Sequence, residues 1–351
     1  MRIEQLFKDI YTKLRVDKSY RTRAFVIGAL LVLALPGIWA YNLYQAVGDG
    51  PNVLIAIPVG STGVSIGRQL QSEGIIKSAE AFAIFVRIKG LGSKLKAGTY
   101  DFAPSMSVTD ILNKLTTGAV VNLNIRVTIP EGLTLSGTGL VFEKRGLFTK
   151  DAFLAAANNV ELPYGYLKAI PATVGNRIEG YLFPDTYEFA PDVTPEQVIR
   201  IMAARFNNLM PARYEQSAVK ERYSLHQVVT MASIVEKEAV KQDERARIAG
   251  VFYSRLHIGM QLESCATVQY LLGTPRKLYL VDLEIQSPYN TYRNPGLPPG
   301  PVANAGLASF EAALNPEDTD FLFFYAKSDG SHIFSKTYEQ HLQAIQSQQG
   351  R

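Results

Sequence analysis

The chain is 351 residues long, 47% apolar and 19% charged, ordinary values for a globular protein and enough length for two or three domains with a sizeable core. Its net charge of +4 sits at the start, because residues 1–23 hold seven Lys/Arg against three Asp/Glu and the remainder carries 29 of each sign. A folded part without a basic surplus argues against nucleic acid as a partner, and the single cysteine, Cys265, together with the lack of any zinc-spaced Cys or His cluster, calls for no disulfide, metal or cofactor.

Residues 1–23 read as a cytoplasmic tail. Residues 24–41 carry no charge, the uncharged run extends to Gly48, and a stretch of eighteen or so such residues can span a bilayer. Trp39, Tyr41 and Tyr44 would form the interfacial belt at one end, with Lys18, Arg21 and Arg23 at the other. The positive-inside rule then gives a single transmembrane helix over residues 24–43, its N-terminus cytoplasmic and the rest extracytoplasmic. A cleaved signal peptide is the competing reading, which the 23-residue polar lead disfavours.

Residues 50–119 alternate as strand, helix, helix, strand: an alternating strand over 52–57, helical patterns opened by Ser61 and Ser78, a strand near Thr99 to Phe102, and a helix from Ser107 stopped at Gly118. That order resembles a LysM carbohydrate-binding module. A weak repeat accompanies it, since Ile57-Pro58-Val59-Gly60-Ser61-Thr62 recurs as Ile129-Pro130-Glu131-Gly132-Leu133-Thr134 and Gly74 matches Gly146. A strand over 120–129 opens the larger domain, 120–348, where helix and strand mix without regular alternation, so the expected class is α+β. A buried strand is expected over 321–325.

Within that domain Ser224 and Gln227 mark a capping-box start. At 100° per residue Leu225, Val228, Val229, Ala232, Val235 and Ala239 share one arc of roughly 120°. Glu236 falls about 20° from Leu225, inside the arc, whereas Glu238 lies about 160° from Glu236 and should face solvent. Desolvation would raise the Glu236 pKa and suit it to general acid chemistry; the alternative is a structural carboxylate that pairs with a buried Arg or reaches water. Tyr, Asn and Thr interleaved beside a Pro/Gly turn at 287–301 suit a sugar groove, although such a loop is also a common structural device.

Ala232 to Glu238, Glu179 to Tyr187, Tyr289-Asn290-Thr291-Tyr292 and Gly296 to Pro301, in this order, closely resemble the membrane-bound endolytic murein transglycosylases of the YceG-like family. The resemblance implies cleavage of nascent peptidoglycan glycan strands between N-acetylmuramic acid and N-acetylglucosamine, leaving 1,6-anhydro ends, with Glu236 as acid and then base. Candidate substrate contacts are Tyr187, Glu263, Thr267, Tyr289, Asn290 and Tyr292. One departure is Leu262-Glu263-Ser264-Cys265, where relatives are expected to carry an Asp. Two alternatives stay open: a non-catalytic peptidoglycan-binding scaffold that recruits cell-wall synthesis enzymes, and a hydrolytic muramidase, which would use a carboxylate pair.

Overall fold

The computed structural model describes residues 41–349 except 122, 172, 173 and 275, together with 11, 22, 23, 25, 26 and 37. The span expected at 24–43 therefore lies largely outside the described residues, and among those described no helix is long and apolar enough to cross a membrane. The chain divides into two units, residues 1–123 and 124–351.

In the first unit β1 (Val53–Ile57) is followed by α1 (Gly63–Ser72), α2 (Ala79–Ile88), β2 (Gly98–Phe102) and α3 (Val108–Thr117). The strands pair antiparallel with Ile55 opposite Tyr100 and Val53 opposite Phe102. Period-two alternation sends Ile55, Ile57, Tyr100 and Phe102 into a core completed by Ile66, Leu70, Phe82 and Leu115. Each helix starts at a hydroxyl: Thr62, Ser78 and Ser107 accept the backbone N–H three residues on. Helices α1 and α2 touch at Gly67, where a Cβ would stand 2.9 Å from the Ala79 carbonyl oxygen.

The second unit begins with the same order: β3 (Ile125–Thr128), α4 (Leu135–Lys144), α5 (Lys150–Asn159) and β4 (Thr186–Phe189), β3 and β4 again antiparallel. The sequence repeat is thus a structural one. Gly60 and Gly132 take matching positive φ of 82° and 75° in the turn, Thr62 and Thr134 cap the helix that follows, and Gly74 and Gly146 follow the end of that helix in each copy at 71° and 72°. Only glycine adopts this backbone without strain, which is why the glycines survive in copies that otherwise diverge.

Beyond β4 come α6 (Pro195–Glu215), α7 (Leu225–Glu238), α8 (Arg245–His257), α9 (Cys265–Leu272), α10 (Leu307–Leu314), β5 (Phe323–Ala326), β6 (His332–Ser335) and α11 (Tyr338–Gln349). Among the described residues, three two-stranded antiparallel sheets set among helices make the class α+β. The strand expected to be buried at 321–325 is half-exposed instead: it belongs to a two-stranded ribbon, and such a ribbon has no second layer to bury both faces.

Helix α8 lies so close to the segment after α10 that a Cβ at Gly250 would stand 2.2 Å from the Glu317 carbonyl oxygen. Glu317 is itself held by its N–H to Ala246 O at 2.9 Å and by Arg247 at 2.8 Å. Backbone this well tied cannot retreat, so Gly250→Ala should lower stability by about 1–3 kcal/mol, measured by denaturant melts; an unchanged midpoint would show that the two segments separate readily.

Candidate active site

Helix α7 is the centre of the second unit. Ser224 and Gln227 form the expected capping box, but every residue from Val228 to Val235 is buried, including Thr230 and Ser233, whose hydroxyls donate to His226 O and Thr230 O. A helix enclosed on all sides has no solvent face, so helical phase does not say which of its glutamates meets water.

The two glutamates leave the last turn in opposite directions. Glu236 Oε2 accepts from Ser309 Oγ at 2.7 Å and from the Gly306 N–H at 3.1 Å, at the start of α10. Its other oxygen faces Arg245 Nη2 at 3.9 Å, with the Glu236 side chain 8% exposed. Arg245 Nε donates to the same Ser309 hydroxyl at 3.0 Å. A second carboxyl joins them: a Cβ at Gly306 would lie 1.9 Å from Glu131 Oε1, so Glu131 rests on the glycine face. Desolvation and the Glu236 charge push the Glu131 pKa up. Two carboxyls that repel one another thus share one buried guanidinium, and the start of α10 and Ser309 supply the remaining donors to Glu236.

Glu238 does the reverse of what helical phase predicts. It does not face open solvent: its carboxyl is enclosed and Oε1 accepts from Ser264 Oγ at 2.5 Å. Burial pushes its pKa up, opposed by the Ser264 hydroxyl, the Ala266 N–H and the charges of His332 and Lys237. It also sits at the C-terminal end of α7, where the helix dipole further disfavours a negative charge. The carboxyl opens on a cleft of ≈ 460 Å³ lined by Arg255, Glu263, Cys265, Tyr292, Tyr325 and His332 among others.

The walls of this cleft are held by polar bonds behind it. Arg255, 7% exposed, donates to Leu322 O, Gln261 O and Leu262 O, which fixes the segment entering α9 against β5. Glu263 at its tip takes φ +50°, strained for a residue other than glycine, and lies 3.4 Å from Arg255 Nη1. Opposite, Asn290 anchors the 287–301 loop to the segment before it: its Nδ2 donates to Leu283 O and Ile285 O, and its Oδ1 accepts from Tyr292 N. That presents Tyr292, whose hydroxyl meets Cys265 Sγ at 3.1 Å.

Of the residues picked from sequence, Glu263 and Tyr292 come together in the cleft. Asn290 and Thr267 are wholly buried scaffold, Thr267 Oγ1 bonding Ser264 O and Thr291 Oγ1 at 2.8 and 2.9 Å. Tyr187 is buried in β4, its hydroxyl donating to Phe183 O, so neither it nor Asn290 is available to a sugar. Tyr289 packs away from the cleft against Tyr270, and Glu236 lies in the Arg245 network. Sequence reasoning missed Ser264 and Arg255. The signal for Ser264 was its place between Glu263 and Cys265 in the one segment that departs from the expected motif.

A second buried carboxyl, Glu179, is 4% exposed and accepts from the Leu135 N–H at 3.0 and 3.2 Å at the start of α4. Burial pushes its pKa up to about 8, against the opposing bonds from Leu135, Gly180 and Tyr270. It forms part of the wall of a separate cavity of ≈ 540 Å³ between α4 and α9.

Residues 55–347 match the YceG-like family. A protein of Bacillus subtilis named endolytic murein transglycosylase is 39% identical over 303 residues, 83% of either chain. One of the same name from Streptococcus pneumoniae strain D39 is 34% identical over 91% of this chain and 64% of its own length. Among solved structures, a yceG-like protein from Listeria monocytogenes superposes with a TM-score of 0.58 at 36% identity, covering 83% of this chain and 98% of that one.

Glu179 makes a pH test of the fold. With a folded pKa near 8 against an ordinary 4.5, the folded chain keeps a proton that the unfolded chain has lost, so stability falls as pH rises between those values and levels off above them. Glu179→Gln keeps an acceptor for Leu135 and removes the titration. Melting curves at about pH 5 and about pH 9 should therefore converge in the variant relative to the parent; an unchanged gap would show that Glu179 titrates like an exposed glutamate.

Proposed function

The chain belongs to the YceG-like family, and from that premise we propose that it is a lytic transglycosylase that cleaves peptidoglycan glycan strands, with Glu238 rather than Glu236 as the acid. The observation that carries the reading is the enclosed Glu238 carboxyl, held by Ser264 and open to the cleft. A general acid must still hold its proton near neutral pH, and desolvation at a helix C-terminus provides that. Glu236 instead meets two donors and a guanidinium, contacts that tie its carboxyl into the packing and away from the cleft.

The chemistry needs one carboxyl. Glu238 gives its proton to the bridging oxygen between N-acetylmuramic acid and N-acetylglucosamine as that bond breaks, and the substrate's acetamido oxygen stabilises the cationic anomeric carbon. The carboxylate then accepts the proton of the 6-hydroxyl, whose oxygen closes the 1,6-anhydro ring. During its anionic interval Glu238 is stabilised by the Ser264 hydroxyl and the Ala266 N–H, so a group whose pKa burial pushes up is not stranded when charged. The one observation favouring hydrolysis is a second carboxylate in the cleft, Glu263; its approach to Arg255 suits holding the wall rather than activating water.

The apolar run at 24–41 and the basic residues before it support an inner-membrane anchor with the cleft outside the cytoplasm, where the substrate is made. The β1-α1-α2-β2 unit, with its likeness to LysM modules, supports a role in holding glycan.

Product analysis on digested strands separates the glutamates. Glu238→Gln should lower release of anhydro-ended products by 10²-fold to 10⁴-fold or more in a protein that stays folded. Glu236→Gln should lose about 1–3 kcal/mol of stability while its folded fraction keeps cleaving. A folded, inactive Glu236→Gln beside an active Glu238→Gln would reverse the assignment, and reducing ends in place of anhydro ends would make the enzyme a hydrolase.

A further inference from the structure

We propose that the ≈ 540 Å³ cavity between α4 and α9 is a distal subsite for one neutral N-acetylated sugar of the glycan strand, an inference that rests on the transglycosylase reading above. The cavity and the Glu238 cleft lie on two sides of one ridge. At the end of α7 Lys237 lines the cavity and Glu238 the cleft; at the start of α9 Ala266 lines the cavity and Cys265 the cleft. Successive helical residues point about 100° apart, so a polymer lying along the cleft crosses this ridge to reach the cavity.

The cavity belongs to the second copy of the strand-helix-helix-strand repeat. Its walls come from the β3–α4 turn at Gly132 to Thr134, the first turns of α4, Leu154 of α5 and the Asn176–Glu179 segment before β4. The turn is rigid: Gly132 N donates to Asn304 O, and Asn304 donates to Leu133 O from both its backbone N and Nδ2. A preformed concave wall loses little entropy on binding.

The lining is aliphatic and neutral-polar. Leu140 and Leu154 offer apolar surface to the methyl of an acetamido group and to ring C–H faces, and Ser136, Asn176 and Gln269 offer hydroxyl and amides to sugar hydroxyls. A charged stem peptide fits less well. Lys237, the one cation among the described lining residues, has one of its three N–H groups on Gly132 O at 3.2 Å, and Glu179, whose pKa is pushed up to about 8, offers a largely uncharged carboxyl. The rest of the described lining is neutral.

The test uses the full chain carrying Glu238→Gln to prevent turnover, with leucine methyls labelled for NMR and N-acetylchitotetraose as the probe. The Leu140 and Leu154 methyls should shift on titration. Ser136→Trp, placed in the first turn of α4 to fill the cavity, should weaken that response at least about tenfold. Gln269→Ala, which only shortens a partly exposed side chain, should weaken it less but measurably and guards against misfolding of the larger variant. Silent methyls at saturating probe, an undiminished response in both variants, or a free stem peptide moving the same methyls in place of the sugar would each overturn the subsite. Anhydro-ended products from the parent protein test the underlying reading separately: their absence sinks the transglycosylase, whereas their presence with silent methyls sinks the subsite alone.

Discussion

A carboxyl at the end of a fully buried helix has two stable conditions: charged, with donors and a cation around it, or protonated, with its charge removed. The last turn of α7 meets both kinds of surroundings within three residues. Glu236 meets Arg245, Ser309 and the start of α10. Glu238 lies beside Ser264 at the mouth of a cleft, where burial pushes its pKa up. The division depends on the surroundings of α7, because the two side chains are chemically identical and differ only in which neighbour they meet.

Those neighbours are placed by polar bonds that never reach the cleft. Thr291 Oγ1 accepts from Ser264 N at 3.0 Å and meets Thr267 Oγ1, so the hydroxyl that holds Glu238 is itself held. Asn290, wholly buried, ties the 287–301 loop to the carbonyls of Leu283 and Ile285 before it and so delivers Tyr292. Arg255 spends its donors on three backbone carbonyls. Each of these groups acts on substrate chemistry only through the group it positions.

Much of this was legible from sequence where local rules decide. Hydroxyl caps at Ser78, Ser107 and Ser224, glycines at positive φ, and period-two strands all follow from a few neighbouring residues, whereas the first helix, expected to open at Ser61, is capped one residue later by Thr62 because both neighbours carry a hydroxyl. The repeat was visible because Gly60 and Gly132 serve one backbone requirement twice. The orientation of Glu236 and Glu238 was not legible, because a helical wheel finds the core side only when there is a solvent side, and Val228 to Val235 have none. Tyr187 and Asn290 misled for a related reason: residue types that bind sugars are also those that close loops and satisfy buried backbone.

The central claim is that burial holds the Glu238 pKa above the ordinary glutamate range. Its most direct test is a site-resolved NMR titration of glutamate carboxyl carbons, the Glu238 signal assigned by its loss in Glu238→Gln. A carbon that keeps its protonated shift well above the ordinary carboxylate range, and moves toward that range when Ser264 and the cleft are opened by unfolding, is the predicted result. A Glu238 signal that titrates with the exposed glutamates would contradict the account.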